Sequence, residues 1–346
     1  MPLKQRHRFS ARTAFMRALI LAAVCGLLVW AWRDVSLDAV RTAIAHWGYL
    51  HWLAFALLNL GILWAMCWRW SLILRRAGYV VGFGALIRYR MGANTLSYIT
   101  PGPQFGGEPL QVHCLTRFHQ VPPEWASASV AVDRLMELMG NMLFLALGGI
   151  FVLAPMLSDP TAVFPLTALL IGVVLAGGGL LWAVATGKAP LSRMTAGGRR
   201  WLGRPQASGG WIAFLRASED QAAGILTDRL LGWYALGGLL QWLLFLAELW
   251  VIYAFMGWPM TALGLLTVAV ASRLAFLLPL PGGLGALEAS QLLAVTSLGG
   301  DPAMAAAACC VMRARDLVVI SVGAGWAVGW LRSPRKRLLR RPLDAS

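Results

Sequence analysis

The chain has 346 residues, of which 58% are hydrophobic and 13% charged, with a formal net charge of +15 and a mean hydropathy of +0.65. That balance excludes an ordinary water-soluble domain. It also excludes a basic nucleic-acid binder, whose cations form one stripe on a folded surface, because the Lys and Arg residues here fall in short runs between apolar stretches.

In chain order, a basic N-terminus (Lys4, Arg6, Arg8, Arg12) precedes an apolar stretch from Phe15 to Trp32. It ends in Val29-Trp30-Ala31-Trp32, bulky where cleavage of a leader needs small residues, so an uncleaved first span is expected. A membrane helix needs roughly 20 apolar residues, and Tyr49 to Trp68, Ala162 to Thr186 and Leu230 to Met256 satisfy this. Two longer stretches carry charge: Ala126 to Leu157 with Asp133, Arg134 and Glu137, and Pro302 to Leu331 with Arg313, Arg315 and Asp316. Arg69, Arg75 and Arg76 mark one cytoplasmic exit and the tail from Arg332 to Arg341 another. Segment 187–229, rich in Arg, is the sizeable aqueous loop, and its apolar positions predict interfacial helix rather than a domain.

Two further apolar regions are broken by Pro-Gly. Region 80–120 breaks at Pro101-Gly102, followed by Gly106-Gly107-Glu108, and region 261–299 at Pro281-Gly282-Gly283, followed by Gly285 and Glu288. With the basic N-terminus, loop and tail all inside, parity makes the first region start and finish on the cytoplasmic side and the second on the outer side. Both are therefore predicted to be re-entrant hairpins. In each, Glu lies seven residues after the Pro, and an Asp-flanked Arg follows: Arg134 is 26 residues past Glu108, and Arg315 is 27 past Glu288.

The expected fold is an all-α polytopic membrane protein with six transmembrane helices and two opposed re-entrant hairpins in an inverted repeat. The first repeat covers 1–157 with the hairpin at 80–120. The second covers 158–332 with the loop at 187–229 and the hairpin at 261–299, and 333–346 is a basic cytoplasmic tail. Both termini are expected in the cytoplasm.

Irregular backbone at membrane depth is tolerated where it is buried in protein or lines a wet cavity, and helices starting just after such breaks point free N–H groups at the tip. Arg134 and Arg315 would add guanidinium charge suited to phosphate. Each residue also has a plainer role. Asp133, Arg134 and Glu137 could anchor at the interface, and Arg315 could pair with Asp316 or a hairpin carboxylate. Glu108 and Glu288 are either first-turn acids opposing a helix dipole or titrating groups that couple transport. Glu248 is either a proton carrier or a paired acid, with Arg273 a candidate partner. Gly102, Gly106, Gly282 and Gly285 serve the backbone turns, Trp residues near span ends belt the interface, and the five cysteines lack metal-ligand spacing.

The strings NTLSYITPGPQFGGE (Asn94 to Glu108), Asp133-Arg134, and LPLPGGLGALEAS followed by RARDL resemble the lysylphosphatidylglycerol synthase transmembrane, or flippase-like, family over roughly residues 10 to 332. Pro103-Gln104-Phe105 departs from the shorter turn of many members. The resemblance implies a helical membrane domain that moves a lipid between leaflets of the bacterial inner membrane. The RARDL string is similar to a hopanoid-associated branch, which implies a phospholipid, hopanoid or polyisoprenoid cargo. Head-group binding then falls to Arg134, Arg315, Arg313 and Asn94. No cofactor, metal or nucleic acid is expected, and lipid-biosynthesis enzymes are candidate partners. A membrane-embedded lipid-modifying enzyme and a scaffold for such enzymes are the alternatives, though no catalytic constellation and no soluble transferase domain is seen.

Overall fold

The computed structural model describes residues 25–33, 35–100, 106–156, 163–201, 209–226, 231–278 and 280–332. The basic N-terminus, the start of the first apolar stretch, Pro101, Gly102 and the tail 333–346 lie outside them. The described chain is helical. After α1, described over 25–32, come α2 (Leu37–Ala45), α3 (Tyr49–Arg76), α4 (Phe83–Ile99), α5 (Glu108–His119), α6 (Pro123–Met156) and α7 (Val163–Ala185). Then follow α8 (Pro190–Trp201), α9 (Gly209–Leu226), α10 (Leu231–Phe255), α11 (Ala262–Ala275), a 3-10 turn (Pro281–Gly283), α12 (Ala286–Ser297) and α13 (Pro302–Arg332).

Among the described residues, three helices are long and apolar enough to cross a membrane: Tyr49–Arg76, Pro123–Val152 and Gly232–Phe255. A fourth span arises if Ile171–Ala185 and Pro190–Gly197, which meet at 99°, count as one. The side chains are distributed as lipid requires. Leu57, Leu60 and Trp64 of α3, Leu147 and Phe151 of α6, and Leu317 and Val318 of α13 face outward, while Arg69, Arg90, Asp133, Glu248 and Glu288 are buried. Apolar outside and charged inside is the arrangement of a multi-pass membrane protein.

One four-helix order occurs twice. Helices α3 to α6 have 28, 17, 12 and 34 residues, and α10 to α13 have 25, 14, 12 and 31. The breaks match as well. Gly78 and Gly257 stop α3 and α10 in the left-handed region, and Gln120 and Gly299 do so after α5 and α12. Each set has its own core: Trp70, Leu86, Leu115 and Ala126 in the first, Tyr253, Val268, Leu287 and Ala307 in the second. Between the sets, α3 packs along α10, α4 along α13, and α6 along α11. A two-fold exchange of the sets preserves those pairings.

The interrupted regions therefore each hold two helices flanking a break, α4 and α5 in one, α11 and α12 in the other. Segment 187–229 holds α8 and α9. Glu219 of α9 ties the two together by accepting from Leu191 N at 2.6 Å and Ser192 N at 3.1 Å, free donors at the start of α8.

Candidate functional site

Two clusters of buried charge run through the bundle. The first gathers around α6, where Asp133 and Glu137 are one helical turn apart and share a face. Asp133 accepts from Arg69 Nε at 2.7 Å and also binds Arg90 Nη1. Glu137 Oε2 accepts from Arg90 Nη2 at 3.0 Å and Arg134 Nη1 at 2.9 Å. Arg134 Nε lies 2.9 Å from Glu108 Oε1, at the start of α5. Three guanidinium groups thus meet three carboxylates, and their formal charges cancel. Arg69, expected at a cytoplasmic exit, is instead buried here, with Nη1 reaching Gln241 of α10 at 3.5 Å. Its partner Asp133 lies 64 residues away, beyond what local spacing reveals.

The second cluster centres on α13. Arg313 donates through Nε to Glu288 Oε1 at 2.7 Å, through Nη1 to Tyr98 Oη at 2.9 Å and to the Gly282 carbonyl at 2.8 Å. Its Nη2 donates to the Gly283 carbonyl at 3.1 Å and to Glu288 Oε2 at 3.1 Å. All five of its N–H groups are therefore engaged. Arg315 turns the other way, donating to Asp316 Oδ1 from Nε at 3.0 Å and Nη2 at 2.8 Å, and pairing through Nη1 with Glu248 of α10. Tyr98 Oη in turn binds Asp316 Oδ2.

The two breaks use the same device. Gly106 N donates to Glu108 Oε2 at 2.8 Å, and Gly285 N to Glu288 Oε2 at 2.8 Å, so each first-turn acid holds the backbone just ahead of its helix. Each also meets an arginine of the following long helix, Arg134 or Arg313. Gly107 N donates to Ser97 Oγ at 3.0 Å, and a Cβ at Gly107 would sit 2.1 Å from the Ala93 carbonyl oxygen, so only glycine fits against α4 there. Pro281 opens the 3-10 turn, and Gly282, at φ +57°, lies under the Tyr98 ring. Tyr98 thus joins the end of α4 to the second break. Half-buried Asn94 lies on α4 midway between Arg90 and Tyr98, four residues from each, between the two clusters.

Beside the first cluster opens a groove of about 770 Å³ between α5, α6, α7 and the start of α8. Glu108 and Arg134 line part of its wall, and Val130, Leu138, Leu180 and Leu191 supply apolar surface. Among the described residues Arg134 makes a single hydrogen bond, to Glu137, and neither its Nε nor Glu108 Oε1 has hydrogen-bond geometry despite their closeness. Arg134 is a groove-facing guanidinium with donors to spare. Arg313, saturated by its own protein, is not.

Glu248 is paired with Arg315 rather than with Arg273. Arg273 instead stacks its guanidinium carbon 3.8 Å from the Phe245 ring centre and 4.7 Å from that of Trp242. Such stacking contributes about 0.5 to 2 kcal/mol, less than the several kcal/mol that an arginine costs in a hydrocarbon environment. Sequence reasoning missed Arg90, Tyr98, Gln241, Trp242 and Phe245 as participants. Tyr98 stood inside the quoted NTLSYITPG string, and Arg90 stood two residues from Arg88 in the first arm of the hairpin.

A family model described as the lysylphosphatidylglycerol synthase TM region matches residues 17–324. No curated protein matches the chain.

Proposed function

We propose a lipid-translocating function for this chain, which belongs to the family of lysylphosphatidylglycerol synthase TM regions. It is a multi-pass membrane protein with a lipid-related function. In the proposed reading the polar head of a lipid enters the groove at Arg134 while its tails stay against Val130, Leu138 and Leu180. The carrying observation is that groove: an ion pair with unused hydrogen-bonding capacity set in an apolar wall, beside buried charge that spans two clusters.

The doubled helix order and its exchange-symmetric packing support an inverted repeat of six spans and two re-entrant hairpins, α4–α5 entering from the cytoplasmic side and α11–α12 from the outer side. The basic runs support cytoplasmic termini, and the resemblance implies a bacterial inner membrane. Arg313 then holds the second hairpin in place through Glu288 and the Gly282 and Gly283 carbonyls, Arg315 ties α13 to Glu248 of α10, and the first hairpin lines the cargo path. Glu108 and Glu137 become the carboxylates that yield when a head group takes their share of Arg134.

Reconstitution of purified protein into vesicles tests this. Protein-dependent exchange of a labelled phospholipid between leaflets, with the lipid chemically unchanged, supports translocation. A chemically altered lipid, or no exchange, contradicts it.

A further inference from the structure

In the doubled helix order, α11 stands where α4 stands in the first set, and the charges at these two places are handled differently. Arg90 of α4 is engaged by Asp133 and Glu137 of α6. Arg273 of α11 makes no hydrogen bond or ion pair among the described residues, and its Nε is buried. Its planar group rests on Phe245 and Trp242, and Trp242 is itself stacked on Phe144 of α6 at 4.3 Å. The aromatic rings hold the guanidinium group while its Nη donors stay without a hydrogen-bond partner among the described residues.

A last-turn cation also opposes the dipole at the end of α11, but that role needs neither the stack nor burial. Asn141 Oδ1 of α6 is also among the buried polar atoms without a partner, as are Arg134 Nε and Glu108 Oε1 at the groove. Asn141 lies on α6 three residues past groove-lining Leu138 and seven past Arg134, about 10 Å further along the helix.

We propose that Arg273, held by Phe245 and Trp242, is a second anion-binding station deeper in the bundle, and that it takes the phosphate ester of a lipid head group. This rests on the translocation reading, in which Arg134 is the outer station. With Nε enclosed, the stacked plane presents its two Nη groups to two phosphate oxygens, a geometry that lysine lacks.

The test uses the full chain purified in detergent and titrated calorimetrically with dihexanoyl phosphatidylglycerol, uncharged dihexanoylglycerol and glycerol 3-phosphate. Arg273→Gln is expected to weaken phosphatidylglycerol binding by about tenfold or more and to leave dihexanoylglycerol binding as it was. Glycerol 3-phosphate binding that also depends on Arg273 identifies a site for free phosphate esters; binding of the lipid alone identifies a lipid site. Unchanged phosphatidylglycerol binding in Arg273→Gln overturns the proposal, as does an equal loss for the uncharged lipid. Should Arg273→Gln not fold, Arg273→Lys decides: it is expected to bind more weakly, and binding equal to wild type overturns the assignment. Arg273-dependent binding without leaflet exchange leaves this station standing and removes the translocation reading. Exchange with Arg273-independent binding does the reverse.

Discussion

Arg313 of α13 grips Glu288 of α12 with two contacts, Nε to Oε1 at 2.7 Å and Nη2 to Oε2 at 3.1 Å, and its remaining N–H groups hold the carbonyls of the adjoining turn and Tyr98. Removing one partner of a buried pair leaves the other charge uncompensated, at a cost of about 3 to 5 kcal/mol. Arg313→Ala is therefore expected to lower the unfolding midpoint sharply in detergent. Arg313→Lys, with three donors on one nitrogen, should recover only part of it. A melting profile of Arg313→Ala matching wild type would show that the clamp carries no stability.

The Tyr98 hydroxyl serves Arg313 and Asp316 at once. Tyr98→Phe removes one partner from each, costing about 1 to 3 kcal/mol. Gly282→Ala should cost more, because a Cβ there would lie 2.2 Å from the Tyr98 ring and because φ is +57°. In a double-mutant cycle, Tyr98→Ala should absorb the steric share of the Gly282→Ala penalty and leave the backbone share. Strict additivity of the two changes would mean that the ring and the turn are not in contact.

What the sequence made legible follows from how local each feature is. A break followed by a first-turn acid is set within eight residues, so Glu108 and Glu288 stood out as a pair. Which arginine meets Glu288 was not legible. Arg313 and Arg315 are two residues apart, and at about 100° per residue they face nearly opposite sides of α13. One reaches α12, the other Glu248 of α10. Spacing alone favoured Arg315 because Asp316 sits beside it. The partner of Arg69 was hidden for a related reason: at the end of an apolar run it reads only as a marker of a cytoplasmic exit, and nothing local shows that α6 brings Asp133 against it.

Glu219 bolts α8 to α9 through two backbone donors of α8. Because those hydrogen bonds are charge-assisted, Glu219→Gln should weaken the joint by about 1 kcal/mol. Hydrogen exchange of the α8 amides should quicken several-fold while that of the α10 amides stays the same. Equal protection of α8 in both proteins would show that the carboxylate does not hold this helix.

The groove beside Arg134 is the centre of the account, and leaflet exchange of a tail-labelled phospholipid in proteoliposomes tests it most directly, comparing wild type with Arg134→Ala and with Leu180→Trp, which fills the apolar wall. Wild type is expected to exchange the lipid, and both variants, inserted and melting like wild type, to slow it by about tenfold or more. Exchange at the wild-type rate in both would contradict this.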